Sequence, residues 1–359
     1  MTPQQALTLQ ANGASNERSA RDWKAVVQTY QVPSVSRSTI ELVVTIVPFM
    51  AFWAAAAWAA ISVSYWLSLV FIVPASLFLL RVFLIQHDCG HQALFRSSRT
   101  NDWVGRASGI LTMTPYDVWR RSHAIHHACS GNLDRRGTGD IMTLTIAEYR
   151  ALSALEKFKY YLYRHPAVMF GVGPAYVFLL AHRWPMGQMR NGWMPWISTM
   201  GTNLAMAAVF GTVIYAVGLG TFLAIHLPIV LLAATIGVWL FYVQHQFEDT
   251  IWEETRHWSH EEAALYGSSF YDLPPLLSWF TANIGVHHVH HLYSRIPFYR
   301  LPEVLRDHPQ LANMRRITTM DGVKTLKLKL WDADNKRLVS FTEARRLPAP
   351  GTPALMAAE

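Results

Sequence analysis

Four apolar runs constrain this chain more than any other feature. Residues 40–61, 66–85, 196–217 and 222–243 each supply the roughly 20 residues a helix needs to cross a bilayer core of about 30 Å. They come in two pairs. Ser62-Val63-Ser64-Tyr65 links the first pair and Gly218-Leu219-Gly220-Thr221 the second, and neither link carries a charge. The expected fold class is therefore an all-α membrane protein, with four transmembrane helices in two hairpins and a cytosolic helical cap. Only 15% of residues are charged, against about 25% in an ordinary soluble domain, and mean hydropathy is +0.14. A net charge of +7 in a soluble chain would point to nucleic acid. Here the basic residues interleave with the spans, so the positive-inside rule accounts for them and no nucleic-acid partner is expected.

Three histidine clusters stand just outside those spans. They are His87-Asp-Cys-Gly-His91, His123-Ala-Ile-His126-His127 and His287-His288-Val-His290-His291. Residues three and four apart share one helix face, so each cluster aims two or three imidazoles at one point. Neutral imidazole is a ligand for zinc, copper, iron and nickel. His87, His91, His123, His126, His127, His287, His290 and His291 are too many for one four-coordinate ion. They suit two metals side by side, with positions left open. His288 lies about 100° around the helix from His287, which makes it an alternative to His287 or a supporting group. Tyr116 to Cys129 is expected to be a helix presenting the second cluster, and Trp103 to Thr114 a weakly amphipathic one on the membrane surface. The two cysteines, Cys89 and Cys129, are too few for a disulfide scaffold. No CxxC pair, dinucleotide fingerprint or haem motif is present, so electrons are expected from a separate protein.

From the basic flanks, the three clusters and both termini are expected on the cytoplasmic side of the membrane. Residues 1–36, without a secretory signal pattern, form an N-terminal segment. Residues 37–310 form the membrane domain, and 311–359 a C-terminal segment whose Ala/Pro-rich end, from about 343, reads as a loose tail. Residues 166–182 are apolar but short and contain Pro174. A crossing there would put the third cluster on the wrong side, so this segment is expected to be interfacial or re-entrant. Arg81, near the end of the second span, is expected to snorkel to the interface, and His226 to sit at headgroup level.

HDCGH, HAIHH and HHVHH with hydrophobic hairpins between them resemble the three histidine boxes of the integral-membrane fatty acid desaturase superfamily. Phe241-Tyr-Val-Gln-His-Gln-Phe-Glu-Asp249 and Asn283-Ile-Gly-Val-His-His-Val-His-His-Leu292 resemble its bacterial branch related to acyl-lipid omega-6 (Δ12-type) enzymes. The resemblance covers roughly residues 35–310. It implies two Fe ions, O2 as co-substrate, a fatty acyl chain carried on lipid, CoA or carrier protein, and an external donor such as ferredoxin. The product implied is a cis double bond. His245 reads by itself as an interfacial histidine or a ninth ligand, and the resemblance favours the ligand. Phe241 replaces the Asn of animal-type relatives four residues before it. Asn283 reads as a weak or water-bridged ligand, or as a packing residue.

Ligating histidines commonly hold a carboxylate or carbonyl on their second nitrogen. Asp88, Asp134, Asp140, Glu248 and Asp249 are candidates, Asp88 and Asp249 foremost. Trp119, Trp258, Trp279 and Phe280 are candidates for an acyl tunnel wall or for an interfacial aromatic belt. Arg120, Arg121, Arg135, Arg136, Arg295 and Arg300 suit a phosphate-bearing acyl carrier, an acidic donor or anionic lipid. The same boxes also serve hydroxylation or ketolation of alkane, acyl or carotenoid chains. A histidine-rich metal transporter is a third class, disfavoured because the clusters lie outside the spans.

Overall fold

A computed structural model describes residues 18–137 and 139–348. Residues 1–17 of the N-terminal segment, and the end of the Ala/Pro-rich tail from 349, lie outside the described residues. Four helices are long and apolar enough to cross a membrane: α1 (Val35–Ser62), α2 (Tyr65–Gly90), and, later in the chain, Met194–Val217 and Leu219–His245. Each contains an expected run. Only Val63 and Ser64 separate α1 from α2, and the Ser64 hydroxyl caps α2 by accepting from the Leu67 N–H at 3.3 Å. Gly218 alone joins the second pair. Its φ of +82° is the reason a glycine stands there.

The 26 residues of α2 make a rod about 39 Å long. That exceeds a hydrocarbon core of about 30 Å, so its last turns, with His87, emerge from the apolar zone. α1 packs on α2, and α2 on Leu219–His245. Met194–Val217 is the outlier. Only 6% of its most apolar window is buried, against 61% for α2, so it turns most of its surface to lipid.

The cap begins with α3 (Ser98–Leu111) and α4 (Tyr116–Cys129), the latter with the bounds expected. We designate Met194–Val217 and Leu219–His245 α5 and α6, and the short helix His287–Leu292 α7. Residues 168–183 are helical but irregular, with π turns on either side of Gly173–Ala175. Sixteen residues reach about 24 Å, short of a bilayer core. The segment lies along α6, where the Thr235 hydroxyl donates to the Phe170 carbonyl at 2.7 Å. Two small sheets join the helices. One pairs Leu144–Thr145 parallel to Leu330–Asp332, which pairs antiparallel to Arg337–Val339. The other pairs Phe270–Asp272 parallel to Arg316–Thr318.

Three expectations need correction. Arg81 does not snorkel: it is 1% exposed and its guanidinium is fully engaged. It pairs with Glu41, donates to the Trp279 carbonyl and to Thr45 Oγ1, and lies 4.0 Å over the Trp279 ring. A buried cation with an ion pair and two further acceptors has no need of the interface. His226 is 4% exposed and stacks on Phe222 rather than facing headgroups. The chain does not loosen at 343, because residues Phe341–Arg346 form a helix packed through Phe341 on Tyr149 and Tyr160.

Candidate metal centre

α2 carries His87 in its last turn and ends at Gly90. A Cβ there would lie 2.9 Å from Trp119 Cζ3, so only glycine lets α4 approach this closely. His91 follows as the helix cap. α4 presents His123, His126 and His127 on one side. α6 ends on His245. α7 is entered through Ala282 and Asn283, both at positive φ, and Gly285, where a Cβ would lie 2.3 Å from the Tyr271 carbonyl oxygen. That tight entry turns all of His287–Leu292 inward.

These four elements meet at one end of the bundle. All nine histidines read as ligands fall into two groups. His87, His91, His123, His127 and His290 form one. His126, His245, His287 and His291 form the other. Within each group the candidate ligand nitrogens lie within 4.8 Å of one another. The partition cuts across the boxes: α4 sends His123 and His127 one way and His126 the other, and α7 likewise splits His290 from His287 and His291.

The donors fit metal ions. Burial, reinforced by the neighbouring imidazoles, pushes His91, His123, His127, His287, His290 and His291 well below the usual histidine range. These rings are therefore neutral, the form that binds metal. Nε2 atoms face each other at 3.0 Å (His245–His287), 3.1 Å (His123–His127) and 3.2 Å (His126–His245 and His127–His290). With metal–nitrogen bonds of about 2.1 Å, adjacent octahedral donors stand about 3.0 Å apart and tetrahedral donors about 3.4 Å. The shortest spacings are those of imidazoles converging on a common ion. Buried Nε2 atoms of His91 and His291 have no hydrogen-bond partner in the protein, which an ion would supply.

Supporting groups are fewer than expected. His126 Nδ1 donates to Asp140 Oδ1, which leaves its Nε2 lone pair facing the second group. Asp88 Oδ1 lies 3.5 Å from His87 Nδ1, while its other oxygen accepts the Phe298 N–H at 2.7 Å. The other candidates lie elsewhere. Asp249 is exposed and lies 3.8 Å from Arg315, because the chain turns outward after His245. His288 Nε2 donates to the Leu311 carbonyl at 2.9 Å, on the far side of α7 from the cluster. Burial pushes its pKa down to about 4. Asn283 hydrogen-bonds Ser278 and the Phe298 carbonyl, so it is a packing residue that shapes the entry to α7. Asp134 caps Thr255 and Glu248 pairs with Arg337.

A cavity of about 260 Å³ runs between α2 and α6 and ends on His87, His123 and His287, members of both groups. Leu79, Leu80, Phe83, Phe178, Ala233 and Gly237 line its apolar length. Of the proposed wall residues only Trp119 lines it. Its ring stacks on His123 at 4.7 Å. Trp258 donates to the Ser130 carbonyl, Trp279 lies under Arg81, and Phe280 packs on Phe78. Sequence reasoning also left Phe241 without a place. Its ring lies 5.0 Å from that of His126 and 5.1 Å from that of His245, on the flank of the four-histidine group. Arg120, Arg136 and Arg300 pair with Asp102, Glu148 and Glu303, whereas Arg121, Arg135 and Arg295 are exposed.

Fold and site together define a predominantly helical membrane protein that could hold two adjacent metal ions at the end of an apolar cavity. The comparisons with known proteins narrow this. Residues 63–321 match the sequence profile of the family described as fatty acid desaturase. A Bacillus subtilis protein named fatty acid desaturase is 45% identical over 322 residues, 90% of this chain and 91% of that one. The chain is 27% identical over 241 residues to a Synechocystis sn-1 acyl-lipid omega-3 desaturase (ferredoxin), 61% of each. It is 25% identical over 230 residues to an Anabaena variabilis sn-1 oleoyl-lipid 12-desaturase, 61% of this chain and 62% of that one. The chain belongs to the fatty acid desaturase family and is an oxidoreductase of that kind.

Proposed function

We propose that this desaturase introduces a cis double bond into a membrane acyl chain, of Δ12/omega-6 type, using O2 and two irons held by the five- and four-histidine groups. The observation that carries this reading is the apolar cavity that ends on histidines of both groups. Ligand softness alone also admits zinc or copper. Zinc is disfavoured because an alkyl chain offers only unactivated C–H bonds, whose oxidation needs a redox metal, and membership of the desaturase family favours iron over copper. The overall change converts a CH2–CH2 unit, O2, two electrons and two protons to a CH=CH unit and two waters.

His87, His91, His123, His127 and His290 would hold one iron, and His126, His245, His287 and His291 the other. When bound, the pair would supply the O2 chemistry that removes two vicinal hydrogens. The protein's own part is positional. Leu79, Leu80, Ala233 and Gly237 leave a slot that an acyl tail fills without water. Trp119 and Phe83, in edge contact at 5.4 Å, form the wall where the chain passes the histidines. Asp140 sets the His126 tautomer.

The named activities of the cyanobacterial relatives favour an acyl-lipid substrate and a ferredoxin-like donor. Exposed Arg121, Arg135 and Arg295 would suit an acidic partner. The basic residues of the cap, by the positive-inside rule, support a site on the cytoplasmic face of a bacterial inner membrane. Gas chromatography–mass spectrometry of lipids tests the reading, with wild type and His127→Ala expressed in a host that lacks polyunsaturated fatty acids and carries a ferredoxin system. A new dienoic acid, absent with the variant, supports it and locates the bond. A hydroxy or keto product would replace it.

A further inference from the structure

Beside the four-histidine group, and separated from the acyl cavity by Phe241, which lines both, lies a second, much smaller one. Its volume is about 10 Å³, and its lining includes Asp140, His245, Thr250 and Trp252. That is about the space a single water molecule requires. Two of the polar groups around it are orphans. Asp140 Oδ1 is taken by His126, while Oδ2 is buried with no partner. Trp252 is 5% exposed, and its indole Nε1 is also buried without a partner. One orphan is an acceptor and the other a donor. A buried donor or acceptor is costly to leave unsatisfied. The Thr250 hydroxyl, 2% exposed, donates to the Gly267 carbonyl at 3.1 Å and keeps lone pairs to accept with.

We infer that this cavity is a structural water site. The water accepts from Trp252 Nε1 and donates to Asp140 Oδ2 and to Thr250 Oγ1, the three hydrogen bonds usual for a buried water. Trp252 is thereby a positioning residue. Through the water it holds the Asp140 carboxylate, which in turn fixes the tautomer and ring angle of His126. The inference rests on the proposal that His126 is a metal ligand. It also gives the C-terminal sheet a task. Trp252 packs with Trp331 and Leu338, on strands Leu330–Asp332 and Arg337–Val339, which lie beyond residue 321, where the family match ends.

The test measures iron retained by the purified full-length protein during dialysis against a chelator, together with the melting temperature of each metal-free variant. Trp252→Phe removes the N–H and Thr250→Val removes the hydroxyl. Each is expected to weaken retention of one iron of the pair by about 10- to 100-fold, as loss of an outer partner of a ligand does. Trp252→His, which keeps a ring N–H, is expected to recover part of it. His126→Ala is the reference. If it loses no iron, the ligand proposal itself has failed. If it loses iron while Trp252→Phe and Thr250→Val match wild type, the water bridge alone is wrong. Should Trp252→Phe melt earlier in its metal-free form, Thr250→Val decides. Independently, a high-resolution structure of the wild type must show one ordered water touching Asp140 Oδ2 and Trp252 Nε1. An empty or differently bonded cavity overturns the inference.

Discussion

His127 and His291 lie face to face, with ring centroids 4.0 Å apart and planes 13° from parallel. They belong to different groups of candidate ligands. The two groups therefore share a wall of stacked imidazole and cannot shift independently.

His127→Ala and His291→Ala should each lower the metal content of the purified protein and cut desaturation by at least about 100-fold, since loss of a ligand exceeds loss of its outer partner. Removing one face of the stack also loosens the other group, so the stoichiometry should fall below the loss of a single ion. Elemental analysis beside product assay checks this. Full metal loading in both variants would refute it.

Gly237 faces the acyl cavity, and a Cβ built there lies 3.6 Å from Leu80 Cδ1. There is room for alanine, but a leucine must project into the slot. Gly237→Leu should therefore shift products toward shorter chains, with roughly tenfold or greater discrimination, the scale of a methylene step in an apolar pocket. The melting temperature should change little. A product spectrum identical to wild type would show that the chain does not occupy this cavity.

Arg81 is the buried cation that ties α1, through Glu41 and Thr45, to the Trp279 carbonyl ahead of the third box. Arg81→Met leaves Glu41 with only Arg37 as its charged partner and strips the Trp279 carbonyl and Thr45 of a donor, which should cost about 1–3 kcal/mol. Combining it with Glu41→Gln should restore part of the loss. Thermal unfolding in detergent reads both. Equal stability of the single variant and wild type would contradict the pairing.

Lys329 donates to the Arg164 carbonyl at 2.7 Å. Burial, with the Arg164 guanidinium nearby, pushes its pKa from 10.5 down to about 8. Between those values the unfolded chain holds a proton that the folded one has released. Stability therefore rises as pH increases through this window, by on the order of 1 kcal/mol per pH unit at most. Relative to Lys329→Met, wild type should gain melting temperature from pH 8 to 10. Parallel pH profiles for the two would refute this.

Much of this was legible in the sequence because the relevant signals are local. An apolar run of span length with at most one charge can bury its backbone only as a helix in lipid, so four runs gave four helices with ends shifted by a few residues. The spacing within HAIHH put three imidazoles on consecutive turns of α4, and the helix runs between the residues expected. Asp140 was visible only as one acid among five, because its loop reaches His126 through a fold that no local pattern encodes. His288 could be set apart from His287 by the helical angle between them, but its partner, the Leu311 carbonyl, lies well downstream.

The sequence by itself determined the four long helices, the membrane character and the eight clustered histidines, with His245 favoured only by the resemblance, since periodicity and hydropathy act over a few residues. Tertiary structure decided how those histidines divide five and four, that Arg81 is buried rather than at the interface, and that the cavity passes Trp119 and not Trp258, Trp279 or Phe280. Those outcomes depend on where α2, α4, α6 and α7 cross. The crossing is set by packing between residues far apart in the chain, such as Gly90 against Trp119 and Gly285 against Tyr271.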